Sequence, residues 1–458
     1  MGLNLPRPLL AARDYVDYIA RRAPARLAVV IFAAVIGIVT ILLRLPAATV
    51  SGKSANFVDA LFTATSAVCV TGLTTVPTAV YWSGFGQAVI LVGIKIGGLG
   101  VLTLASLLGM AVSRRLGLTQ RILAAAETKA QRFGEVGALV RVVVLASVTV
   151  ELFIAALLVP RFLSLGFDFP KALWHGVFYA ISAFNNAGFV STPDGLFPYA
   201  TDWLLTGPIM IAAFIGALGF PVIMTLARKW RRPQRWNLHT RLTVTTSLLL
   251  VLAGAILITG LEWSNANTLG DLSFGEKLHA GLFHGIMPRS AGLTIVDVSA
   301  MNEGTWLVTD ALMFVGGGSA STAGGIKVTT FAVMLLAIRA EARGDRDIEA
   351  WGRRIPSGVL RLSVAVVFVG ATLVLVASLI LLAITDLTLD VVLFEAISAF
   401  ATCGLSTGIT PDLPDSGKYV LTALMFVGRT GTMTVAAALA LRDRQRVIRL
   451  PKERPIVG

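Results

Sequence analysis

Four times along the chain a short apolar run stops at a glycine, and none of the four runs is long enough to cross a bilayer. They read "FVDALFTATSAVCVTGLTT", "FPKALWHGVFYAISAFNNAGFVST", "FGEKLHAGLFHGIMPRSAGLT" and "LDVVLFEAISAFATCGLSTG". Aligned on Gly72, Gly188, Gly292 and Gly404, they share more than the glycine. Ten residues earlier stand Phe62, Phe178, Leu282 and Phe394; six earlier, Ser66, Ser182, Ile286 and Ser398; five earlier, Ala67, Ala183, Met287 and Ala399. Three units agree closely and the third diverges. Self-similarity at a fixed period is read before any motif, because it dictates the architecture.

Each short run is flanked by longer apolar segments. Leu27–Leu43, Val142–Val159, Leu242–Leu261 and Leu362–Ile384 precede the four runs. Each is close to the ~20 residues that a helix needs to cross the hydrocarbon of a bilayer. After each run comes a glycine cluster, in "GIKIGGLG", "IGALGFP", "VGGGSASTAGG" and "VGRTGTMT", with Gly97, Gly216, Gly316 and Gly428 in corresponding places. The unit is therefore helix, half-helix, turn and helix. An even number of crossings keeps every unit in the same orientation. The sequence predicts an all-α polytopic membrane protein of four fused helix–re-entrant loop–helix units, in a pseudo-fourfold ring around one pore. The units cover 27–115, 136–230, 238–340 and 357–443, between an N-terminal segment 1–26 and a tail 444–458.

Composition and charge agree. The chain has 458 residues, of which 55% are hydrophobic and only 14% charged, and its mean hydropathy is +0.78. The net charge of +13 does not mark a nucleic-acid binder, because the basic residues are placed otherwise. Of 39 Lys and Arg, 29 fall in five clusters: Arg7–Arg26, Arg114–Arg141, Arg228–Arg241, Arg339–Arg361 and Arg442–Arg454. Asp168, Asp194, Asp202, Asp271, Asp297, Asp412 and Asp415 occupy the alternate loops. This is the positive-inside pattern of a multi-pass protein of the cell membrane, with both termini in the cytoplasm. Leu27–Leu43 is longer than a signal-peptide core and reads as a retained helix. Two cysteines, Cys69 and Cys403, imply neither a disulfide framework nor a multi-cysteine metal site.

Non-helical backbone inside a membrane is tolerated only where protein or a watery cavity covers it. Four half-helices entering from the acidic side would converge their negative C-terminal dipole ends and favour a cation on the axis. A glycine there frees the backbone to turn carbonyl oxygens inward, and a ring of carbonyls replaces the hydration shell of a monovalent cation. Close helix packing is the alternative use of such glycines; four at one repeat position favour the carbonyl ring.

At this point the sequence resembles the membrane subunit of the bacterial Trk/Ktr potassium uptake systems, related to the plant and fungal Trk/HKT transporters. The residues that carry the resemblance are "TSAVCVTGL", "SAFNNAGF", "RSAGL", "ATCGLSTG", "GGGSASTAGGIK" and "GRTGT". It implies a potassium-selective, gated channel-like pore and potassium uptake across the cytoplasmic membrane. It implies a selectivity filter of Val70, Thr71 and Gly72; Asn186, Ala187 and Gly188; Ser290, Ala291 and Gly292; and Thr402, Cys403 and Gly404. Four filter glycines go, in this family, with preference for potassium over sodium. The resemblance also implies a homodimer bound to a cytoplasmic ring of nucleotide-binding regulatory subunits. The chain itself is expected to need no cofactor and no resident metal: potassium is the transported ion, sodium a candidate second one, and a nucleotide acts only through the partner.

Gly316–Lys327, "GGGSASTAGGIK", makes a poor helix, since each glycine costs about 1 kcal/mol relative to alanine. It is expected to break the second helix of unit 3. A phosphate-binding loop is excluded, because Ile326 separates Gly325 from Lys327. The resemblance makes Gly316, Gly317, Gly318, Ser319, Gly324, Gly325 and Lys327 an intramembrane gate under the filter, with Arg429 of "FVGRTGTM" as its positive partner. An arginine within a membrane segment is a functional hypothesis by default. Lys95 departs from the family, which more often has a neutral residue there; Glu151 is a candidate partner for it. His175, His279 and His284 read as packing or surface residues.

Two other classes compete. A sodium- or proton-coupled potassium symporter working by alternating access would favour inverted repeats and a midplane carboxylate; the repeats here are parallel. An enzyme would need a nucleophile–base or metal constellation, and no His-Glu-x-x-His occurs.

Overall fold

The computed structural model describes residues 24–113 and 134–441. The N-terminal segment up to residue 23, the linker 114–133 with most of its basic cluster, and the tail from residue 442 lie outside the described residues.

The four units follow in order. Unit 1 is α1 (Pro24–Leu43), the short α2 (Phe57–Cys69) and α3 (Gly84–Ser113). Unit 2 is α4 (Gly134–Ser164), the short α5 (Phe169–Phe184), and α6 (Trp203–Leu218) running into α7 (Phe220–Lys229). Unit 3 is α8 (Leu238–Glu262), the short α9 (Phe274–Ile286), then α10 (Glu303–Phe314) and α11 (Val328–Arg343). Unit 4 is α12 (Ser357–Ile384), the short α13 (Leu389–Ala401) and α14 (Asp415–Leu441).

Local chemistry sets the helix starts. Asn237 caps α8 by accepting from Thr240 N–H at 2.8 Å, and Asp202 caps α6 by accepting from Leu204 N–H at 3.0 Å. Glu276 reaches back to Ser273 N–H at 2.9 Å at the head of α9, one arm of a capping box. Pro170 and Pro221 occupy the first turns of α5 and α7, where a missing N–H costs nothing.

Among the described residues, three helices are long and apolar enough to span a membrane alone: Arg141–Ser164 within α4, α8 and α12. The bent pair α6–α7 makes a fourth. The eight spans expected from the sequence are therefore not eight uninterrupted apolar helices. The second helices of units 2 and 3 are broken where they pack against the centre. The three long spans turn large apolar residues outward, with Phe368 72% and Ile256 70% exposed. Polar residues such as Ser66, Ser182 and Ser398 are fully buried. That inversion suits a hydrocarbon solvent, in which apolar surface needs no shelter.

The interior holds two large apolar clusters. One is centred on units 1 and 4, including Phe62, Phe394 and Phe400; the other joins units 2 and 3, including Phe162, Tyr179 and Phe283. The aligned Phe62, Phe178 and Phe394 are all fully buried, which is why that repeat position keeps a large ring. One element was not expected: a two-stranded hairpin, β1 (Ile348–Ala350) and β2 (Arg353–Ile355), between units 3 and 4. Its two-residue turn, Trp351 and Gly352, has both φ values positive, 49° and 71°, as a tight hairpin twist demands.

Candidate functional site

The four short helices end in closely related ways. At the end of α2, Val70 adopts φ 57° and Thr71 N–H closes back on Ser66 O at 2.7 Å. At the end of α5, Asn186 has φ 57° and Ala187 N–H closes on Ser182 O at 2.8 Å. At the end of α13, Thr402 has φ 47° and Cys403 N–H closes on Ser398 O at 2.9 Å. These are Schellman-type caps, but with a valine, an asparagine and a threonine where glycine is usual. Left-handed valine and threonine are strained, and such strain concentrates where a backbone is held for a purpose. Unit 3 reaches a similar state with Ser290 at φ 95°.

Two residues on, each chain is left-handed again, at Gly72 (φ 100°), Gly188 (70°), Gly292 (61°) and Gly404 (99°). The four segments then close on one another. A Cβ on Gly72 would meet Ala187 O and Gly188 Cα. One on Gly188 would meet Ala291 O and Gly292 Cα, one on Gly292 would meet Cys403 O and Gly404 Cα, and one on Gly404 would meet Thr71 O and Gly72 Cα. The ring runs through all four units in chain order and returns to the first. At Gly72, Gly292 and Gly404 any Cβ would clash with backbone, at Gly188 it would fit only tightly, and the residue before each glycine turns its carbonyl against the neighbouring segment. Of the twelve residues expected here, Thr71, Gly72, Ala187, Gly188, Ala291, Gly292, Cys403 and Gly404 meet in this ring, Ser290 Oγ donates to Thr402 O at 3.1 Å, and Val70 and Asn186 are the left-handed residues that lead into it. The side chain of Cys403 points away, toward Pro288 O at 3.2 Å, and both cysteines are buried and free.

The second-helix glycines hold this ring from behind. Gly97, Gly216 and Gly428 face Val68 O, Phe184 O and Phe400 O, and any side chain would collide with those carbonyls. Each short helix thus docks its last-turn carbonyl on a bare patch of its unit's second helix. In unit 3 the corresponding Gly316 faces Gly324 O instead, because there the helix has become a loop.

That loop, 315–327, interrupts α10 and α11 and is pinned by a parallel bridge between Val315 and Ile326. It lies directly against the ring. Gly324 N–H donates to Ser290 Oγ at 2.8 Å, and Gly324 is packed on Ala401 and Thr402. The Thr322 hydroxyl sits 2.7 Å from the side-chain amide of Asn186. Arg429, 2% exposed, donates from Nη1 to Thr322 O, while its Nε and Nη2 have no hydrogen-bond partner among the described residues. Lys327 Nζ donates to Ala323 O at 2.7 Å. Gly317 and Gly318 press on Ala217 and Leu218, and Ser319 turns to Thr329 at 3.0 Å. Buried Arg429 and half-buried Lys327 therefore hold the loop by its carbonyls.

Some participants were not assigned from the sequence. Gly219 (φ 91°) bends α6 against α7 by 106°, and Phe220 N–H donates to Ala320 O of the loop at 3.0 Å. Arg289, 2% exposed, donates to Ser247 O at 2.9 Å and to Gly316 O at 3.1 Å. Its place inside "RSAGL" was the available signal. Lys95 does pair with Glu151: Nζ lies 2.6 Å from both carboxylate oxygens and 2.7 Å from Ser147 Oγ. His279 and His284 are buried, His279 beside Thr206 Oγ1 at 2.8 Å, and His175 contacts Ser191 at 2.9 Å; none joins the ring. Among the described residues no His, Cys, Asp and Glu cluster is arranged to hold a metal ion.

Known proteins resemble this chain in sequence and fold. The family model described as "TrkH: Cation transport protein" matches residues 12–447. The chain is 37% identical over 446 residues to the Ktr system potassium uptake protein B of Bacillus subtilis (strain 168), covering 97% of this chain and 99% of that one. It is 35% identical over 406 residues to the potassium/sodium uptake protein NtpJ of Enterococcus hirae, covering 88% of this chain and 89% of that one. The crystal structure of the potassium transporter TrkH from Vibrio parahaemolyticus matches with a TM-score of 0.71 at 17% identity, over 90% of this chain and 84% of that one; at that identity it speaks for the fold. With near-complete coverage by the family model and by relatives above a third identical, the chain belongs to the TrkH family of cation transport proteins.

Proposed function

We propose that the chain is the ion-translocating membrane subunit of a potassium uptake system and conducts through a selective, gated, channel-like pore. The observation that carries this reading is the closed ring of four glycine-cornered segments, each turning a backbone carbonyl to its neighbour. Carbonyls so arranged can take the place of a potassium ion's hydration shell, and the converging C-terminal ends of four short helices add negative potential. The names of the relatives point to the same ion. In this reading the filter is Val70–Gly72, Asn186–Gly188, Ser290–Gly292 and Thr402–Gly404. The gate is the loop from Gly316 to Lys327, held shut by Arg429. The functional units keep the boundaries 27–115, 136–230, 238–340 and 357–443. The subunit works as a homodimer in the cytoplasmic membrane, both termini inside, under a cytoplasmic nucleotide-binding ring that docks on the basic inner loops.

A second reading is coupled symport, and one observation favours it: Glu151 is a buried carboxylate within a spanning helix, the kind of group that relays ions or protons. The experiment that separates the two is potassium and sodium flux into liposomes holding the purified chain, with and without an imposed sodium or proton gradient. Potassium-selective flux that ignores those gradients is expected. Flux that requires a second ion's gradient would replace the channel reading with symport.

A further inference from the structure

The four ring segments are held in two different ways. Segments 1 and 4 are clamped from within: Gly72 N–H donates to Ser66 Oγ at 3.0 Å, and Gly404 N–H to Ser398 Oγ at 3.1 Å. Segments 2 and 3 lack that bond. Ser182 Oγ donates to Phe189 O instead, at 2.8 Å, and unit 3 has Ile286 at the corresponding place.

The residue three before each glycine shows what replaces the clamp. In segments 1 and 4 it is Cys69 and Ala401, small and buried. In segments 2 and 3 it is Asn185 and Arg289, long polar arms that reach out of the ring. Arg289 ties segment 3 to Ser247 and Gly316. Asn185 Nδ2 donates to Glu151 Oε1 of α4 at 2.9 Å and to Ile181 O at 2.9 Å. Glu151 is in turn fixed by Lys95 of α3, at 2.6 Å to each oxygen, and by Ser147 at 3.0 Å. The amide of Asn185 lies flat on Gly98, where any Cβ would strike it. The chain of contacts therefore runs from the second helix of unit 1, through the first helix of unit 2, to the residue adjoining left-handed Asn186.

We propose that the Lys95–Glu151 ion pair is a positioning pair that fixes the second filter segment through Asn185 and thereby sets the pore's preference among monovalent cations. This rests on the filter reading above. Placing two charges among apolar helices is costly, and buried ion pairs gain little stability over apolar replacements. A purely structural staple between α3 and α4 needs neither the second carboxylate bond to Asn185 nor the bare surface at Gly98. Carbonyl ligands must be held within a fraction of an ångström to discriminate between ions, and segment 2 has no internal serine clamp to do so.

Two double variants isolate the arm from the charge. Lys95→Met/Glu151→Leu removes both charges and the acceptor for Asn185; Lys95→Met/Glu151→Gln removes both charges and keeps an acceptor. Potassium-to-sodium flux ratios are measured in liposomes on monodisperse protein. The leucine double is expected to lose about tenfold in the ratio, the size that one lost hydrogen bond supports. The glutamine double is expected to stay within about threefold of the parent. Asn185→Ala, which leaves the charges paired, is expected to fall with the leucine double and decides the matter if that double does not fold. Equal ratios in the two doubles, or an unchanged ratio in Asn185→Ala, would overturn the proposal. Gly188→Ser is measured alongside: a reduced ratio there with no effect at Asn185 removes only the positioning role, whereas an unchanged ratio at Gly188 removes the filter reading and this inference together.

Discussion

At the residue scale, glycine placement carries most of the argument, and the four corner glycines are not equivalent. Gly72 and Gly404 sit at φ near 100°, beyond the left-handed region that other residues visit. Gly188 sits at φ 70°, and a Cβ there would stand 3.1 Å from Ala291 O, a contact that a small shift relieves. Gly188→Ala is therefore expected to fold with a loss of about 1–2 kcal/mol, the cost of a left-handed residue with a side chain. Gly72→Ala and Gly404→Ala are expected to cost more and to reduce the yield of monodisperse protein; thermal unfolding of the three alanine variants gives the ranking. Gly292→Ser strains the fold as well, since a Cβ there would strike Cys403 O, so its selectivity is read on monodisperse protein. It is expected to lower the potassium-to-sodium ratio about tenfold, equivalent to roughly 1.4 kcal/mol. A folded Gly292→Ser protein with parental selectivity would remove segment 3 from the filter. These glycines are legible in the sequence because no other residue type solves a carbonyl at van der Waals range, so the repeat retains them. Lys95 and Glu151 are far less legible. They are 56 positions apart, on helices whose facing sides nothing local announces.

At the element scale, the short helices, their boundaries and the break between α10 and α11 follow from the sequence, since glycine cost and apolar run length act locally. The bend at Gly219 does not. "IGALGFP" contains two glycines, and Gly216, aligned with its counterparts, takes up the carbonyl of Phe184, while Gly219 makes the turn. The difference is tertiary: Ala320 O and Ser319 O of the loop occupy the space beside Gly219. Arg289 was hidden for a related reason, because its partner Gly316 becomes available only where the helix has opened. The loop is tied to segments 2 and 3 by Thr322 and Gly324 and to α14 by Arg429. If it obstructs the pore, loosening it should raise conduction without altering selectivity. Deleting Gly316–Gly325 and, separately, Arg429→Ala are each expected to raise potassium flux severalfold at an unchanged potassium-to-sodium ratio. Flux unaltered by both changes would remove the gate from the mechanism.

At the scale of the whole molecule, a ring built from four units of one chain must join its first unit to its last, and the apolar interior shows how. Units 1 and 4, at opposite ends of the chain, share the larger cluster, to which Phe62 and Val68 of the one and Phe394 and Phe400 of the other belong. Units 2 and 3 share the other. Closure therefore depends on packing across the ring rather than on the connecting segments. The hairpin between units 3 and 4 tests this, because its tip is exposed, with Trp351 at 49%, and chain breaks are tolerated at exposed tips whose backbone holds nothing together. Separate expression of residues 1–351 and 352–458 in one cell is expected to give two pieces that purify together, with potassium-selective flux close to that of the intact chain. Residues 1–351 alone are expected not to accumulate, since losing unit 4 strips the shared cluster and leaves Gly292 and Gly72 without their neighbour Gly404. Pieces that do not associate would mean that the covalent link, not the packing of unit 4 on unit 1, closes the ring.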